Sequence, residues 1–355
     1  MSTDRVRFAL VGAGTIGQVH AQAIQGLPDV AELRLVVSRR AEPATALAAA
    51  HGAEWSTDVD GLWADPDVDA VTICTPTGTH AELAVAALES GKHVMIEKPI
   101  ELSLAAADRI IAAERASGKK VAVISQHRFD RSFERVAAAV AAGNFGRLTS
   151  ASASCALWRG QSYYDSAAWR GTWAFDGGGA TMNQAIHTID LLLALLGTPT
   201  QLFAYTGRLA HERIETEDTA VAVVTFAGGA LATIHATTAA YPGLDTSLCV
   251  FGSKGSATIR DDELIFFHGT VGEAPEIAMP VPGSAPNQVT AADALTPEQH
   301  LLGDAHVAQF ADFVRAVTRD GPVRVGTGDG RAALATILAM YESAVSGRPV
   351  RLDGT

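Results

Sequence analysis

A glycine-rich turn near the start of the chain restricts the fold more than any other feature. It follows a short apolar strand, residues 6–11, and opens a helical pattern that continues to Ile24. A first glycine permits a tight turn, a second lets a phosphate approach the backbone, and a third lets the helix pack closely on the strand. The turn therefore predicts a dinucleotide site at a helix N-terminus. The predicted cofactor-binding residues in it are Gly12, Gly14, Thr15, Ile16 and Gly17.

The first 130 residues alternate strand and helix patterns. Further apolar strands are predicted at 33–37, 70–74, 93–96 and 121–125, and helices at 44–50, 79–90 and 104–117. Continuous apolar strands separated by helices indicate parallel βαβ units with helices on both faces of the sheet. We therefore predict an N-terminal Rossmann domain, a doubly wound parallel sheet, over residues 1–128.

From residue 129 the pattern changes to longer strands with few helices. A long helix is predicted at 180–196, two helices near 301–318 and 330–346 close the chain, and residues 270–300 are predicted to be a loop. This pattern predicts an α+β domain over residues 129–355, built on a mainly antiparallel sheet. Its strands are predicted at 148–157, 201–209, 220–226, 231–238, 247–251 and 257–260.

Composition and charge exclude several classes of protein. The formal net charge of −12 argues against a nucleic-acid partner, because phosphate binding needs clustered Lys and Arg. Three widely spaced cysteines fit neither a disulfide scaffold nor a zinc site. The N-terminus lacks an apolar signal segment, and the most apolar stretch, 185–196, is too short to span a bilayer. We expect a cytoplasmic protein with no metal, nucleic-acid or membrane partner.

The residues after the second strand bear on the choice between NAD and NADP. NAD-binding domains usually place Asp or Glu there to bind the ribose 2′-hydroxyl. This chain has Ser38 and Arg39 instead, followed by Arg40. Ser38 can donate to a 2′-phosphate, and Arg39 can pair with that phosphate or stack on adenine. The sequence therefore favours NADP, with NAD as the alternative if the arginines are ordinary solvated loop charges.

Three further motifs accompany the glycine turn. TPTGTH at 75–80 follows one predicted strand, and EKP at 97–99 follows the next. GGGATMNQAIHTID at 177–190 opens the long helix. In this order and on these elements, the four motifs resemble those of the glucose–fructose oxidoreductase, inositol dehydrogenase and rhizopine catabolism (Gfo/Idh/MocA) family. The resemblance covers essentially the whole chain.

The resemblance implies a fold, a cofactor and a reaction. It implies a Rossmann domain followed by a sheet domain whose open face contributes to a homodimer or homotetramer. It also implies NAD or NADP, and hydride transfer at a carbinol or ketone carbon of a sugar, polyol or related compound. By motif position it adds these cofactor-lining residues: Thr75, Pro76, His80, Glu97, Lys98, Gln126, Trp169 and Arg170.

The candidate catalytic residues are Lys98, His187 and Asn183. Lys98 follows a strand at the carboxyl edge of the sheet, where its ammonium can hydrogen-bond the reacting oxygen. A histidine at position 187 can take or return the hydroxyl proton. Asn183 lies four residues earlier, on the same helix face. Many family dehydrogenases carry Asp there, so the choice of Lys98 or His187 as the principal proton acceptor stays open.

Other interpretations stay open beside a carbohydrate dehydrogenase. One is a redox-assisted glycosidase that holds its nucleotide permanently, and another is a non-catalytic dinucleotide sensor. The presence of both Lys98 and His187 argues against a sensor, which needs no residues that handle protons. Residues 158–173 contain three of the five tryptophans, Trp158, Trp169 and Trp173. This aromatic cluster suits either a sugar ring or a structural hinge.

Overall fold

The protein, described by a computed structural model over residues 5–272, 286–290 and 304–352, forms two compact units. The first unit contains residues 5–126 and 304–334, and the second contains 127–272, 286–290 and 335–352. In these ranges, no helix combines the length and the apolarity that crossing a membrane requires.

The first unit contains a six-stranded parallel sheet in the order β3-β2-β1-β4-β5-β6. The order reverses between β1 and β4, which is the arrangement of a doubly wound Rossmann fold and confirms the predicted fold class. The strands are β1 (Val6–Val11), β2 (Ala31–Val37), β3 (Glu54–Ser56), β4 (Ala70–Ile73), β5 (His93–Ile96) and β6 (Val121–Val123). The helices are α1 (Thr15–Gln25), α2 (Ala41–His51), α3 (Val59–Trp63), α4 (His80–Glu89) and α5 (Leu104–Ser117).

Strand β3 and helix α3 were not predicted from the sequence. Strand β3 has only three residues and none of their side chains is buried, so it lacks the apolar run that marks the other strands. Helix α3 has five residues and one buried side chain, Leu62, which is too short for a helical period to be visible.

The second unit contains an eight-stranded sheet in the order β13-β12-β11-β7-β10-β9-β8-β14. All neighbouring strands are antiparallel except β7 and β10, which confirms the prediction of a mainly antiparallel sheet. The strands are β7 (Leu148–Ala156), β8 (Pro199–Gly207), β9 (Thr219–Phe226), β10 (Leu231–Thr237), β11 (Thr246–Gly252), β12 (Gly255–Arg260), β13 (Glu263–Gly269) and β14 (Val350–Arg351). The helices are α6 (Arg131–Ala141), α7 (Gln161–Asp165) and α8 (Ile186–Leu196).

One face of this sheet is covered and the other is open. Helix α8 packs on β7 and β11, and alternate residues of β9 are buried while the residues between them are exposed. Large apolar side chains lie on the exposed face, including Tyr205, Val221, Val223 and Leu231. Strands β13 and β14 were not predicted. Most of the predicted loop at 270–300 lies outside the described residues, and 286–290 contains no helix or strand.

The two units do not follow the predicted division into residues 1–128 and 129–355. Helix α9 (Asp304–Thr318) packs on α1 and β1 of the first unit, and α10 (Thr327–Ser346) begins there too. The buried rings of Phe310 and Phe313 lie 5.6 and 6.0 Å from the ring of Phe8. The apolar period of α9 predicted a helix, but the sheet that its apolar face covers depends on tertiary packing.

Replacing Phe310 with alanine tests whether α9 completes the first core. We expect Phe310→Ala to lower the free energy of unfolding by about 3–5 kcal/mol, because the ring is fully buried against Phe8 and leaves a cavity. Val345→Ala is the control, since Val345 is 90% exposed and the change should cost less than about 0.5 kcal/mol. Urea unfolding measures both. A loss below about 1 kcal/mol for Phe310→Ala would show that α9 does not belong to this core.

Candidate functional site

The glycine turn in the first unit brings the backbone after β1 close to the backbone at the end of β4. Gly12 has φ +110°, and a Cβ built there would lie 2.5 Å from the carbonyl oxygen of Cys74. A Cβ on Gly17 would collide with the carbonyl oxygen of Gly12. These two glycines are therefore required by the packing of β1, α1 and the end of β4.

The helix N-terminus that follows the turn is open. Gly14 is the N-cap of α1, is exposed, and a Cβ there would meet no atom within 4 Å. As the N-cap residue, Gly14 provides no side-chain cap, and the first turn of α1 contains no acidic residue. Thr15 is exposed and Ile16 is half-buried. The free N–H groups and the helix dipole at this end suit a phosphate, so the geometry fits the predicted dinucleotide.

The residues after β2 form a positively charged segment. Ser38 is half-buried, and its backbone N–H donates to the carbonyl of Ser56 at 3.1 Å. Arg39 and Arg40 are exposed, and within the described ranges neither forms a salt bridge. The two guanidinium groups are thus not neutralised by the described carboxylates.

His80 is buried in the first unit, and its predicted contact with the dinucleotide stays a prediction. Its side chain is 1% exposed, and its ring nitrogens lie 3.0 Å from the carbonyl oxygens of Pro99 and Thr75. Burial lowers the pKa of His80, so the ring is neutral at physiological pH. His80 ties the loop after β4 to the loop after β5. Thr75 and Pro76, in contrast, are half-buried and exposed in the first of these loops.

Glu97 is held inside the first unit. Its Oε1 lies 2.9 Å from Nε2 of His20, and its Oε2 accepts the backbone N–H of Lys98 at 3.0 Å. Burial alone would raise the pKa of Glu97, but the hydrogen bond and charge of His20 lower it to about 2. Glu97 is therefore an ionised residue that positions the backbone of Lys98, whose own side chain is half-buried.

His20 was not among the site residues predicted from the sequence. Its ring is fully buried, and Nδ1 lies 2.7 Å from Oγ1 of Thr72 and 3.2 Å from Sγ of Cys74. Burial would lower the pKa of His20, but its neighbours Cys74 and Glu97 raise it. The available signal was its position three residues after Gly17, which places it on the face of α1 that packs against the sheet.

Gln126 carries a buried acceptor that no described group satisfies. Its Oε1 is buried, and no group in the described residues donates a hydrogen bond to it. Buried polar atoms normally have a partner, so this atom fits a donor on a bound ligand. An amide group of a nicotinamide would supply such a donor.

In the second unit, Asn183 and His187 line one cavity of about 300 Å³. The cavity has polar and apolar walls. Its polar lining residues are His127, Arg159, Asn183, Gln184, His187, Thr188, Thr246, Ser247 and Asp262, and the others are Cys155, Leu157, Leu191, Leu248 and Ile259. The structure thus brings together the two second-unit residues that were predicted to be catalytic.

The helix that carries these two residues is not regular. A π-helical turn, Thr181–Ala185, precedes α8, where the sequence predicted one α-helix over 180–196. The carboxylate of Glu217 accepts the backbone N–H groups of Gly179 and Thr181, both at 2.9 Å. A Cβ on Gly179 would collide with the carbonyl oxygen of Glu217, so this close approach requires glycine. Single π-turns of this kind occur frequently at functional sites.

Three ion pairs lie on or near the element that carries these residues. Arg128 donates to Asp190 from Nε at 2.7 Å and from Nη2 at 2.6 Å, and both side chains are buried. Asp190 is therefore a structural partner of Arg128. Near the cavity, Nδ1 of His127 lies 2.8 Å from Asp130 and 3.0 Å from Asp262.

His127 lies beside His187, with ring centroids 5.1 Å apart. Burial disfavours a charge on His127, but the hydrogen bonds and charges of Asp130 and Asp262 raise its pKa to about 10. A histidinium is therefore present beside His187. The His127, Asp130 and Asp262 ligand atoms are also close enough to hold a cation, as are those of His20, Glu97 and His306, but their contacts with one another need none.

Comparison with known proteins agrees with this geometry. Residues 6–125 match the model of the Gfo/Idh/MocA oxidoreductase family with an NAD-binding Rossmann fold, and residues 133–258 match the Gfo/Idh/MocA C-terminal domain. The uncharacterized oxidoreductase YrbE of Bacillus subtilis is 31% identical over 265 residues, which cover 72% of this chain and 74% of YrbE. The chain belongs to the Gfo/Idh/MocA family. It is therefore an oxidoreductase with an NAD-binding Rossmann domain.

Two further members of the Gfo/Idh/MocA family match over almost their full length. Myo-inositol 2-dehydrogenase of Thermotoga maritima is 29% identical over 98% of this chain and 99% of that protein. The crystal structure of the WlbA dehydrogenase of Bordetella pertussis, in complex with NADH and UDP-GlcNAcA, is 31% identical. It aligns over 99% of this chain and 100% of that one with a TM-score of 0.85.

Arg170 and Trp169 lie in the second unit, and their contact with a cofactor stays a prediction. The guanidinium carbon of Arg170 lies 4.2 Å from the ring centroid of Tyr163 and 4.6 Å from that of Trp169. Nε of Arg170 is buried, and among the described residues it has no hydrogen-bond acceptor. The cation is therefore held between two aromatic rings with a donor left for a ligand.

The charge on His127 is testable by changing one of its partners. We expect Asp262→Asn to lower the pKa of His127 from about 10, because one hydrogen-bonded carboxylate is lost. NMR titration of the imidazole signals measures this, with His127→Gln for assignment and the exposed-carboxylate variant Asp165→Asn as control. Since the folded-state pKa is raised above 6.5, the stabilisation from this charge is present below pH 6.5 and lost as the pH rises through about 10. An unchanged pKa in Asp262→Asn would contradict the assignment.

Proposed function

We propose that the protein is an NAD(P)-dependent dehydrogenase or reductase that acts on a CH–OH group. Its substrate is a sugar, a polyol or a sugar derivative, and hydride moves between nicotinamide and the carbinol or ketone carbon. The observation that carries this proposal is the 300 Å³ cavity that His187 and Asn183 line together. Its size and its mixture of hydrogen-bonding and apolar walls suit a small polyhydroxylated ligand. The named relatives support the same class, since they include an inositol dehydrogenase.

The first unit supplies the groups that would hold the dinucleotide. The N-terminus of α1 offers N–H groups to the phosphates, and Ser38 and Arg39 offer donors to a 2′-phosphate, so we propose a preference for NADP over NAD. Gln126 offers its buried Oε1 to a donor. When bound, the nicotinamide supplies or accepts the hydride.

We propose that Lys98 stabilises the reacting oxygen. Its backbone N–H donates to the ionised Glu97, which His20 holds in turn, so the backbone of Lys98 is fixed at the end of β5. Its ammonium can donate a hydrogen bond to the substrate oxygen as negative charge develops there. In this role Glu97 is a positioning residue, because its two carboxylate oxygens bind His20 and the backbone of Lys98.

We propose that His187 transfers the hydroxyl proton. In oxidation, a ring nitrogen of His187 takes the proton from the substrate hydroxyl, and in reduction it returns that proton. Asn183 lines the same cavity and carries no charge, so it can orient the substrate or the histidine without increasing the basicity of the ring. The nearby histidinium of His127 favours negative charge on the substrate oxygen.

We also propose that the protein works as a homodimer or homotetramer through the open face of the second sheet. Tyr205, Val221, Val223 and Leu231 are all at least 45% exposed on neighbouring strands of that face. A contiguous exposed apolar surface of this kind is typical of an interface between subunits.

Cofactor preference is tested by Arg39→Ala. We expect the variant to bind NADPH about 10- to 100-fold more weakly while NADH binding stays within about twofold, because only the 2′-phosphate contact is lost. Titration by nicotinamide fluorescence measures both. Arg109→Ala is the control, since this arginine is also exposed but lies on α5. The preference would be refuted if the wild type and Arg39→Ala both bound NADPH and NADH with equal affinity.

The role of His187 is tested by His187→Asn. We expect kcat for the oxidation of a carbohydrate substrate to fall by about 10²- to 10⁴-fold, because no other group replaces the proton acceptor. NAD(P)H affinity should not change, since the dinucleotide-binding turn lies in the first unit. Initial rates of NAD(P)H formation and fluorescence titration separate the two effects. An unchanged kcat would exclude His187 as the proton-transfer group, and substrate loss without net NAD(P)H would favour the glycosidase.

A further inference from the structure

A cavity of the second unit is lined by a cation that forms no salt bridge with a described carboxylate. Arg159 follows β7 and lines the cavity together with Asn183 and His187. Throughout the described ranges it forms no salt bridge, and its side chain makes one hydrogen bond, from Nη1 to the carbonyl of Trp158 at 3.3 Å. A guanidinium has five N–H donors, so most of its donors have no acceptor among the described protein groups.

The backbone of Arg159 is fixed before any ligand binds. Its N–H donates to the carbonyl of Thr238 at 2.9 Å, and its carbonyl lies 2.7 Å from Nε2 of His211. His211 is buried, and its other ring nitrogen lies 3.0 Å from Asp218. The guanidinium carbon also lies 5.5 Å from the ring centroid of Tyr163. The base of the Arg159 side chain is therefore held in place, and its guanidinium has one hydrogen bond and one aromatic neighbour.

Among the described residues, no other ionisable group of the cavity lining forms an ion pair with Arg159. Asp262, the carboxylate in the lining, pairs with His127 at 3.0 Å. Cys155 is buried, and although Arg159 lowers the pKa of its thiol, burial raises that pKa to about 12. The thiol is therefore neutral at physiological pH. Asp130 and Asp262 share the His127 imidazolium, and neither carboxylate forms an ion pair with the Arg159 guanidinium.

The rest of the lining suits the body of a polyhydroxylated ligand. Oε1 of Gln184 is buried and has no hydrogen-bond donor among the described residues, so it can accept from a ligand hydroxyl. Leu248 and Ile259 supply apolar walls for C–H groups. An acceptor, an apolar wall and an unpaired guanidinium together match a sugar that bears one anionic group.

We propose that the substrate is an anionic sugar or polyol derivative whose carboxylate or phosphate binds Arg159. This inference rests on the proposed function of the same cavity, and it specifies the substrate class. Arg159 then acts as a specificity-determining residue, because a planar guanidinium binds an oxyanion through two parallel hydrogen bonds. A neutral sugar would leave the guanidinium partly desolvated and unpaired, and would therefore bind more weakly.

Calorimetric titration of the full-length protein with glucose, glucuronate and glucose 6-phosphate tests this class. With saturating NAD⁺ or NADP⁺, we expect at least one anion to bind about 30-fold or more tightly than glucose. The two anions distinguish a carboxylate from a phosphate. In Arg159→Gln that advantage should fall to about threefold or less while glucose affinity stays unchanged, and Arg159→Lys should keep part of it because the charge remains. If glucose binds the wild type as tightly as both anions, the inference is overturned, whether or not the variants fold.

A matched control and a rate measurement separate this inference from the proposed function. Arg147→Gln removes the same charge from an exposed position of the second unit and should leave all affinities unchanged. If Arg147→Gln lost as much anion affinity as Arg159→Gln, the role of Arg159 would be overturned, because the loss would then reflect only a long-range effect of charge. In parallel assays, anion-selective binding without NAD(P)H formation would support the Arg159 site and refute the dehydrogenase. Equal oxidation of neutral and anionic sugars would support the dehydrogenase and refute the role of Arg159.

Discussion

The buried pair of His20 and Glu97 is the interaction on which the ligand-binding edge of the first unit depends. His20 comes from the helix that follows the glycine turn, and its ring also contacts Thr72 and Cys74 at the end of β4. Glu97 ends the next strand and binds the backbone of Lys98. The ring of Phe310 on α9 lies 5.2 Å from that of His20. A buried ion pair offsets the cost of its desolvation only when its hydrogen bonds have good geometry. The pair therefore favours one arrangement of α1, the ends of β4 and β5, and α9.

The second unit uses a buried carboxylate for a related purpose. Glu217 accepts N–H groups from the glycine-rich segment before α8, and the hydroxyl of Tyr341 donates to its Oε1 at 3.1 Å. Burial raises the pKa of Glu217, but the backbone hydrogen bonds from Thr181 and Gly179 oppose that shift. The π-turn that results carries Asn183 to the cavity that His187 also lines. In each unit, therefore, a buried carboxylate binds the backbone next to a candidate catalytic residue: Glu97 beside Lys98, and Glu217 beside Asn183.

Much of the fold could be predicted because its signals are local. Continuous apolar strands, capping glycines and the turn at Gly12 are visible within windows of about ten residues. Short elements such as β3 have too few apolar residues to give a local signal. The position of α9 depends on a distant contact, between the ring of Phe310 and the ring of Phe8 on β1. The same limit applies to the site: Asn183 and His187 share a local motif, whereas Arg159, His127 and Asp262 come together only through the pairing of distant strands.

The sequence by itself determined the fold class, the family, the glycine turn and the identity of Lys98 and His187 as candidates, because each follows from residue types at short spacing. Only the tertiary structure decided which protein groups the polar atoms of the motif residues contact. His80 and Glu97 belong to motifs that suggest cofactor contact, yet their polar atoms are engaged by Pro99, Thr75 and His20. Spacing cannot distinguish a buried partner from a ligand contact, since both need the same polar side chain. The difference lies in solvent exposure and in hydrogen bonds between residues up to 77 positions apart, which the packed chain alone defines.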